Sequence, residues 1–245
     1  MAVAAVLALD HVCVARGKRQ TLFDISLTLA PARTLAVVGE SGAGKTTLIA
    51  AILGLVKLSQ GRVTWDGAAV RLCRPALVMQ EPRAAFNPTL RLRQSVLEPI
   101  TAQHKPVPMD RLARLCDGME LPVHLLDRRP HDVSIGQAQR AGIVRALIAG
   151  PPLVVFDEPL SALDAVTQKH TARLIAELQR EEGFASLIVT HDLGYAAAYS
   201  DDIIVLREGR IAEASPTAAF IAAPRSDYGI ALREAAFALG AMETA

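Results

Sequence analysis

"TLAVVGESGAGKTTLIAAILGLV", residues 34–56, decides the fold. "TLAVV" (34–38) is a short apolar run with the texture of a strand buried on both faces. A glycine-rich loop follows, and "TTLIAAILGLV" reads as a helix ending near Gly54. Gly39, Gly44, Lys45 and Thr46 fit G-x-x-x-x-G-K-[ST] in the strand–loop–helix context that gives the pattern its meaning. The glycines let backbone N–H groups close around phosphates. Lys45 reaches the β- and γ-oxygens, and Thr46 offers a hydroxyl to Mg²⁺. Ser41, Gly42 and Ala43 are small enough to keep the loop tight, and the whole of 39–47, including Glu40 and Thr47, is the candidate nucleotide-binding segment. A glycine-rich turn without function is the plainer alternative, and the flanking strand and helix argue against it.

A phosphate loop needs a second metal carboxylate, and "LVVFDEP" (153–159) supplies one. Asp157 ends an apolar strand, at the end of the sheet where open α/β folds bind ligands. Glu158 follows directly and can orient and deprotonate an attacking water. "VSIGQAQRAGIVRAL" (133–147) opens a second helix: Ser134 is a good N-cap, with Gln137 its capping-box partner. A helix start of this kind is itself an anion site. One chain therefore carries two.

Outward from these stretches, apolar strands alternate with helices. Residues 5–14 and 20–29 are strand-like, joined through the basic turn "ARGKRQ". "GRVTWDG" (61–67) alternates as a half-exposed strand, and "ALVMQEP" (76–82) is a strand stopped by Pro82. From about 82 to 149 the texture turns to Pro-, Arg- and Leu-rich helices, which predicts a helical insertion. Residues 164–182 make an amphipathic helix with Val166, Leu174, Ile175 and Leu178 on its apolar face. "SLIVTHD" (186–192) and "DIIVLREGRIAEAS" (202–215) give further strands, the latter folding back at Glu208-Gly209. The pattern predicts a mostly parallel sheet covered on both faces.

Composition excludes several classes. Hydrophobic residues at 51% and charged residues at 21% describe a globular chain. A net charge of +1 gives no electrostatic reason to expect nucleic acid. Cys13, Cys73 and Cys116 lack metal-ligand spacing and read as buried thiols of a reducing compartment. The apolar start "MAVAAVLAL" has no preceding Lys or Arg and reads as a strand rather than a signal peptide. "AGIVRALIAGPPLVVF" (141–156) is broken by Arg145 and Pro151-Pro152, too short to span a membrane.

The phosphate loop, "VSIGQ", "VVFDEP", "SALD" (161–164) and "VTHD" (189–192), in that order, resemble the nucleotide-binding subunit of an ABC transporter. The resemblance covers nearly the whole of residues 1–245. It implies an α/β fold: a P-loop NTPase, RecA-like core with an antiparallel β-subdomain and a helical subdomain inserted at about 82–149. It also implies ATP and Mg²⁺ as cofactors. By this resemblance Gln80 occupies the Q-loop, sensing the metal and coupling to the membrane partner. The resemblance likewise puts Asp164 in the D-loop and makes His191 the switch histidine contacting the γ-phosphate. In the family two such domains meet head to tail, so Ser134, Gly136 and Gln137 would complete the ATP site of a second ATPase subunit, same or homologous.

Two positions depart from the family pattern. Ile135 stands where the signature usually has its first glycine, which removes freedom for close approach. No aromatic residue lies in "VCVARGKRQ" to stack the adenine. Arg16 could stack its guanidinium on the base or stand as an exposed turn arginine, and both readings stay open.

"MQEPRAAFNPTLRLRQSVLEPI" (79–100) resembles the peptide and nickel importer branch, and "AAPRSDYGIAL" (222–232) weakly echoes its C-terminal element. The cysteine-rich extension of the oligopeptide members is absent, which leans toward nickel, metal-chelate or short-peptide uptake. The resemblance places the chain at the cytoplasmic face of the membrane, against a permease and, indirectly, an extracytoplasmic solute-binding protein. The rival reading is a soluble ABC ATPase of DNA repair or the ribosome. Against it, the stretch from Lys45 to Ser134 shows no coiled-coil heptads, and the chain holds one ATPase domain. A bare P-loop kinase would need neither "VSIGQ" nor "SALD".

Overall fold

A computed structural model describes residues 7–17 and 19–238. The chain forms two compact units, one from residues up to Pro75 and from Ala185 onward, the other Ala76–Phe184. The first six residues of the apolar start lie outside the described residues.

The first unit begins with β1 (Leu7–Arg16) and β2 (Arg19–Leu29), an antiparallel pair from Leu7↔Leu29 to Arg16↔Arg19 whose register shifts between Leu9 and Ala15. Ile25, Leu27 and Leu29 are buried while Ser26 and Thr28 between them are exposed, the period-two pattern of a strand with one covered face. β3 (Thr34–Val38) is buried at every position, as a central parallel strand must be. It feeds α1 (Lys45–Ile52), which stops at Leu53, with Gly54 in the left-handed region (φ +69°) just after it. β4 (Gln60–Trp65) and β5 (Ala68–Ala69) extend the first pair into an antiparallel sheet ordered β2-β1-β4-β5.

The second unit holds β6 (Ala76–Val78), α2 (Leu92–Thr101), α3 (Met109–Gly118), α4 (Ile135–Leu147), β7 (Leu153–Asp157) and α5 (Ala165–Glu182). β6 runs parallel to β7, and their ladder ends at Val78↔Phe156. The expected strand to Pro82 is thus cut short. β7 has only Asp157 left before Glu158 turns the chain (φ +44°), so Met79 and Gln80 are exposed. Val166 is a second correction: it is 80% exposed in the first turn of α5. The buried stripe of that helix begins at Thr171 and runs through Leu174, Ile175 and Leu178.

The chain then returns to the first unit with β8 (Ala185–Thr190), α6 (Leu193–Tyr199), β9 (Asp202–Arg207), β10 (Arg210–Pro216), α7 (Thr217–Ala222) and α8 (Asp227–Ala238). β3 is parallel to both β8 and β9, and β10 closes the edge antiparallel to β9. Glu208 and Gly209 both take positive φ, the two-residue turn whose twist suits a hairpin. Ala36, Val38, Ile203 and Val205 from the strands pack with Leu193, Ala196, Phe220 and Ala236 from the helices.

Cys13 and Cys116 are buried free thiols, whereas Cys73 is only partly buried, a departure from the uniform burial expected. Burial pushes the thiols of Cys73 and Cys116 up to about 11. Among the described residues no His, Cys, Asp and Glu cluster could hold a metal ion, and no helix is long and apolar enough to cross a membrane.

Candidate nucleotide site

The phosphate loop leaves β3 at Gly39, where a Cβ would stand 2.2 Å from the Leu206 carbonyl oxygen of β9. Only glycine fits so close to that backbone. The Gly209 N–H donates to the Ala43 carbonyl at 2.8 Å, tying the loop to the β9–β10 turn. Gly44 (φ +109°) is the N-cap of α1, and no side chain caps that helix. A Cβ there would lie nearest Leu22 Cδ2, the Thr21 carbonyl and Gly209, so β2 and the β9–β10 turn flank this side of the loop. Buried Lys45 curls back and donates from Nζ to the carbonyls of Gly39 (2.7 Å) and Glu40 (2.9 Å). Ser41, Gly42 and Thr46 are exposed, while Ala43 and Thr47 are buried. A helix start with no side-chain cap, next to a lysine, fits an oxyanion. These residues therefore suit a polyphosphate.

His191 follows β8 one residue beyond the register pair Val38↔Thr190, so it leaves the sheet at the same end as Gly39. It is exposed. Its neighbour Asp192 caps α6 through the Tyr195 N–H (2.9 Å) and donates its own N–H to Thr190 Oγ1 (3.0 Å), which fixes the turn.

In the second unit Asp157 ends β7 half-buried, and Glu158 takes the left-handed conformation, uncommon for a residue with a Cβ. Gln80 Nε2 donates to Glu158 Oε2 at 3.2 Å, so the parallel β6–β7 pair brings these two predicted residues together. Ser134 caps α4: its Oγ accepts from the Gln137 N–H (3.1 Å), and Gln137 Oε1 accepts from the Ser134 N–H (3.0 Å). Arg83 Nη2 donates to the Val133 carbonyl at 2.6 Å and steadies the approach to that cap. Ile135 is 42% exposed, so its side chain is largely clear of the packed interior. Gly136 lies against the next helix, where a Cβ would meet Thr167 Cγ2 at 3.3 Å. Asp164 caps α5 by accepting from the Thr167 Oγ1 (2.7 Å) and N–H (3.1 Å). Those bonds, the hydroxyl first, hold its carboxyl below the usual range.

Arg16 ends β1, exposed and opposite Arg19. One neighbour of the loop was not legible in the sequence. The Tyr228 hydroxyl, 188 positions away, accepts from the Glu40 N–H at 3.2 Å. "AAPRSDYGIAL" carries that tyrosine, but nothing in the stretch tells where its ring lands.

Residues 22–161 match the ABC transporter family. The chain is 36% identical to the oligopeptide transport ATP-binding protein OppF of Escherichia coli, over 77% of this chain and 61% of that protein. It is 34% identical to the peptidoglycan transport ATP-binding protein YejF of Agrobacterium fabrum, over 96% and 44%. A putative peptide import ATP-binding protein of Brucella ovis is 33% identical, over 87% and 72%. The chain thus spans about half to three-fifths of the length of OppF and YejF. In fold it is similar to cbiO1 from Clostridium perfringens, part of the ABC transporter complex cbiONQ (TM-score 0.79, 23% identity, 97% of this chain and 96% of that one). A dimeric ATP-binding cassette in a post-hydrolysis state with ADP and Pi is also similar (TM-score 0.75, 24% identity, 86% and 98%). The fold is that of ABC ATPase cassettes, and the chain belongs to the ABC transporter family.

Proposed function

We propose that the chain is the ATP-binding subunit of an ABC importer, hydrolysing ATP where two such domains meet and driving solute uptake through a membrane permease. The observation that carries this reading is the start of α1, which no side chain caps, with Lys45 folded over its loop. The names of the relatives, oligopeptide, peptidoglycan and peptide transport, support a peptide-class cargo over nickel or a metal chelate. They also favour transport over DNA repair or ribosome work. The chain then sits at the cytoplasmic face of the membrane, with a solute-binding protein on the far side.

Lys45 exchanges the carbonyls of Gly39 and Glu40 for β- and γ-phosphate oxygens. Thr46, Asp157 and Gln80 are the residues we assign to Mg²⁺, which supplies charge neutralisation on the phosphates. Glu158 takes the proton of the attacking water while its bond to Gln80 orients it, and His191 steadies the γ-phosphate. Ser134, Gly136 and Gln137, with Asp164, act on nucleotide held by the partner subunit, and Arg16 is our candidate for the adenine. Groups supplied in trans to a transferring phosphoryl are worth about 10³–10⁵ in rate, and we use that as the scale. Specific ATPase activity of the chain should therefore rise steeply with protein concentration or added partner. A turnover independent of concentration in a demonstrated monomer contradicts the reading.

A further inference from the structure

The C-terminal stretch 222–232 has no part in the function above, yet it is anchored at both ends of a short path to the phosphate loop. Glu213 of β10 is a buried carboxylate. Its Oε1 accepts from the Arg225 N–H (2.9 Å), and its Oε2 accepts from the Ser226 N–H (2.9 Å) and hydroxyl (2.8 Å). Burial alone would raise this acid, but the donors from Ser226 and Arg225 outweigh it and hold it below its ordinary value. Ser226 Oγ in turn accepts from the Gly229 N–H at 2.9 Å, so the carboxylate fixes the first turn of α8. A Cβ at position 229 would fall 2.6 Å from Glu213 Oε2, so a larger residue there would displace this carboxylate from its present place.

That turn carries Tyr228. The Arg207 guanidinium lies over its ring, 4.8 Å from the centroid. The ring packs against the core formed by Ala36, Val38 and Phe220. Its hydroxyl accepts from the Glu40 N–H, and the Glu40 carbonyl is one of the two on which Lys45 rests. Burial first, against the pull of the Glu40 N–H and with the Glu40 carboxylate alongside, pushes the phenol above its ordinary value. A continuous series of bonds thus runs from Glu213 through α8 and Tyr228 to Glu40 and Lys45.

We propose that Tyr228 is a positioning residue for the phosphate loop: its hydroxyl fixes the Glu40 peptide, and with it the resting place of Lys45. Without that bond the loop must be ordered by the nucleotide itself, and affinity falls. This rests on the reading of 39–47 as the ATP loop, so the test has one readout that needs no nucleotide.

In the full chain, Tyr228→Phe removes only the hydroxyl and keeps the ring under Arg207. Amide exchange over residues 39–47 should speed up in the absence of nucleotide, with the exchange of α8 unchanged. The Kd for Mg-ATP should rise about three- to ten-fold, the factor carried by one hydrogen bond, with KM following and kcat unchanged. Glu213→Gln should move both readouts the same way by a smaller factor, and it serves as the test should Tyr228→Phe fail to melt cooperatively. Unaltered exchange over 39–47 overturns the inference, and so does an unaltered or tighter Kd in a variant whose parent binds ATP. A parent chain that binds no Mg-ATP overturns the functional reading instead, and the exchange result alone then decides the role of Tyr228.

Discussion

The starts of α1 and α4 are both glycine-bearing turns into helices, and they solve the same electrostatic problem in opposite ways. Gly44 offers α1 no side chain, so that helix start has no cap of its own. Ser134 closes α4 with a reciprocal capping box, which satisfies the Gln137 N–H and its own N–H without a ligand. A start that lacks a cap gains from any anion that reaches it, whereas a capped one must first give up a bond it already has. On the function proposed above, the first start holds phosphate in its own subunit and the second waits for a partner to present one.

The largest expected effect isolates binding from chemistry so that the two starts can be compared. Glu158→Gln should lower ATP turnover about 10²–10⁴-fold, the scale of a lost general base, while Mg-ATP still binds. Single-turnover kinetics with equilibrium binding checks it, and near wild-type turnover would remove Glu158 as the base. Next, Lys45→Ala should weaken Mg-ATP binding by roughly ten- to a hundred-fold, since charge-assisted hydrogen bonds carry about 1.5–3 kcal/mol each. Calorimetric titration measures it.

Ser134→Ala should behave differently, because α4 loses its cap rather than its ligand. Stability should fall by about 1 kcal/mol, and ATP affinity of the dilute subunit should stay with the wild type. Thermal melting and the same titration check both halves. An equal loss of affinity in the dilute Lys45 and Ser134 variants would break the contrast. The smallest effect belongs to Gly136→Ala. Its Cβ would press on Thr167 Cγ2 at 3.3 Å, partly offset by alanine's better helix propensity. The net change in stability should be within about 1 kcal/mol, read from the denaturation midpoint.

Local chemistry made the phosphate loop, the acidic pair at the end of β7, the capping box and the Glu208-Gly209 hairpin legible, because each is specified by residues within a few positions of one another. What failed was set by distance. β6 stops at Val78 because its ladder partner turns at Glu158, a backbone choice made 80 residues later that no property of "ALVMQEP" reports. Val166 has the right spacing for the apolar face of α5, but the neighbours that bury that face begin a turn later. Tyr228 meets Glu40 only because β10, α7 and α8 return the chain across β3 and β9, and neither stretch carries a signal of the other.

The central claim is that each nucleotide is held by the capless start of one chain and met by the capped start of another. A structure of the Glu158→Gln protein with Mg-ATP tests it most directly. The account predicts two chains per assembly, with Ser134 Oγ and the Gly136 N–H of one within hydrogen-bond reach of the γ-phosphate gripped by Lys45 of its mate. Residues 134–137 turned to solvent, or nucleotide fully enclosed within a single chain, would contradict it.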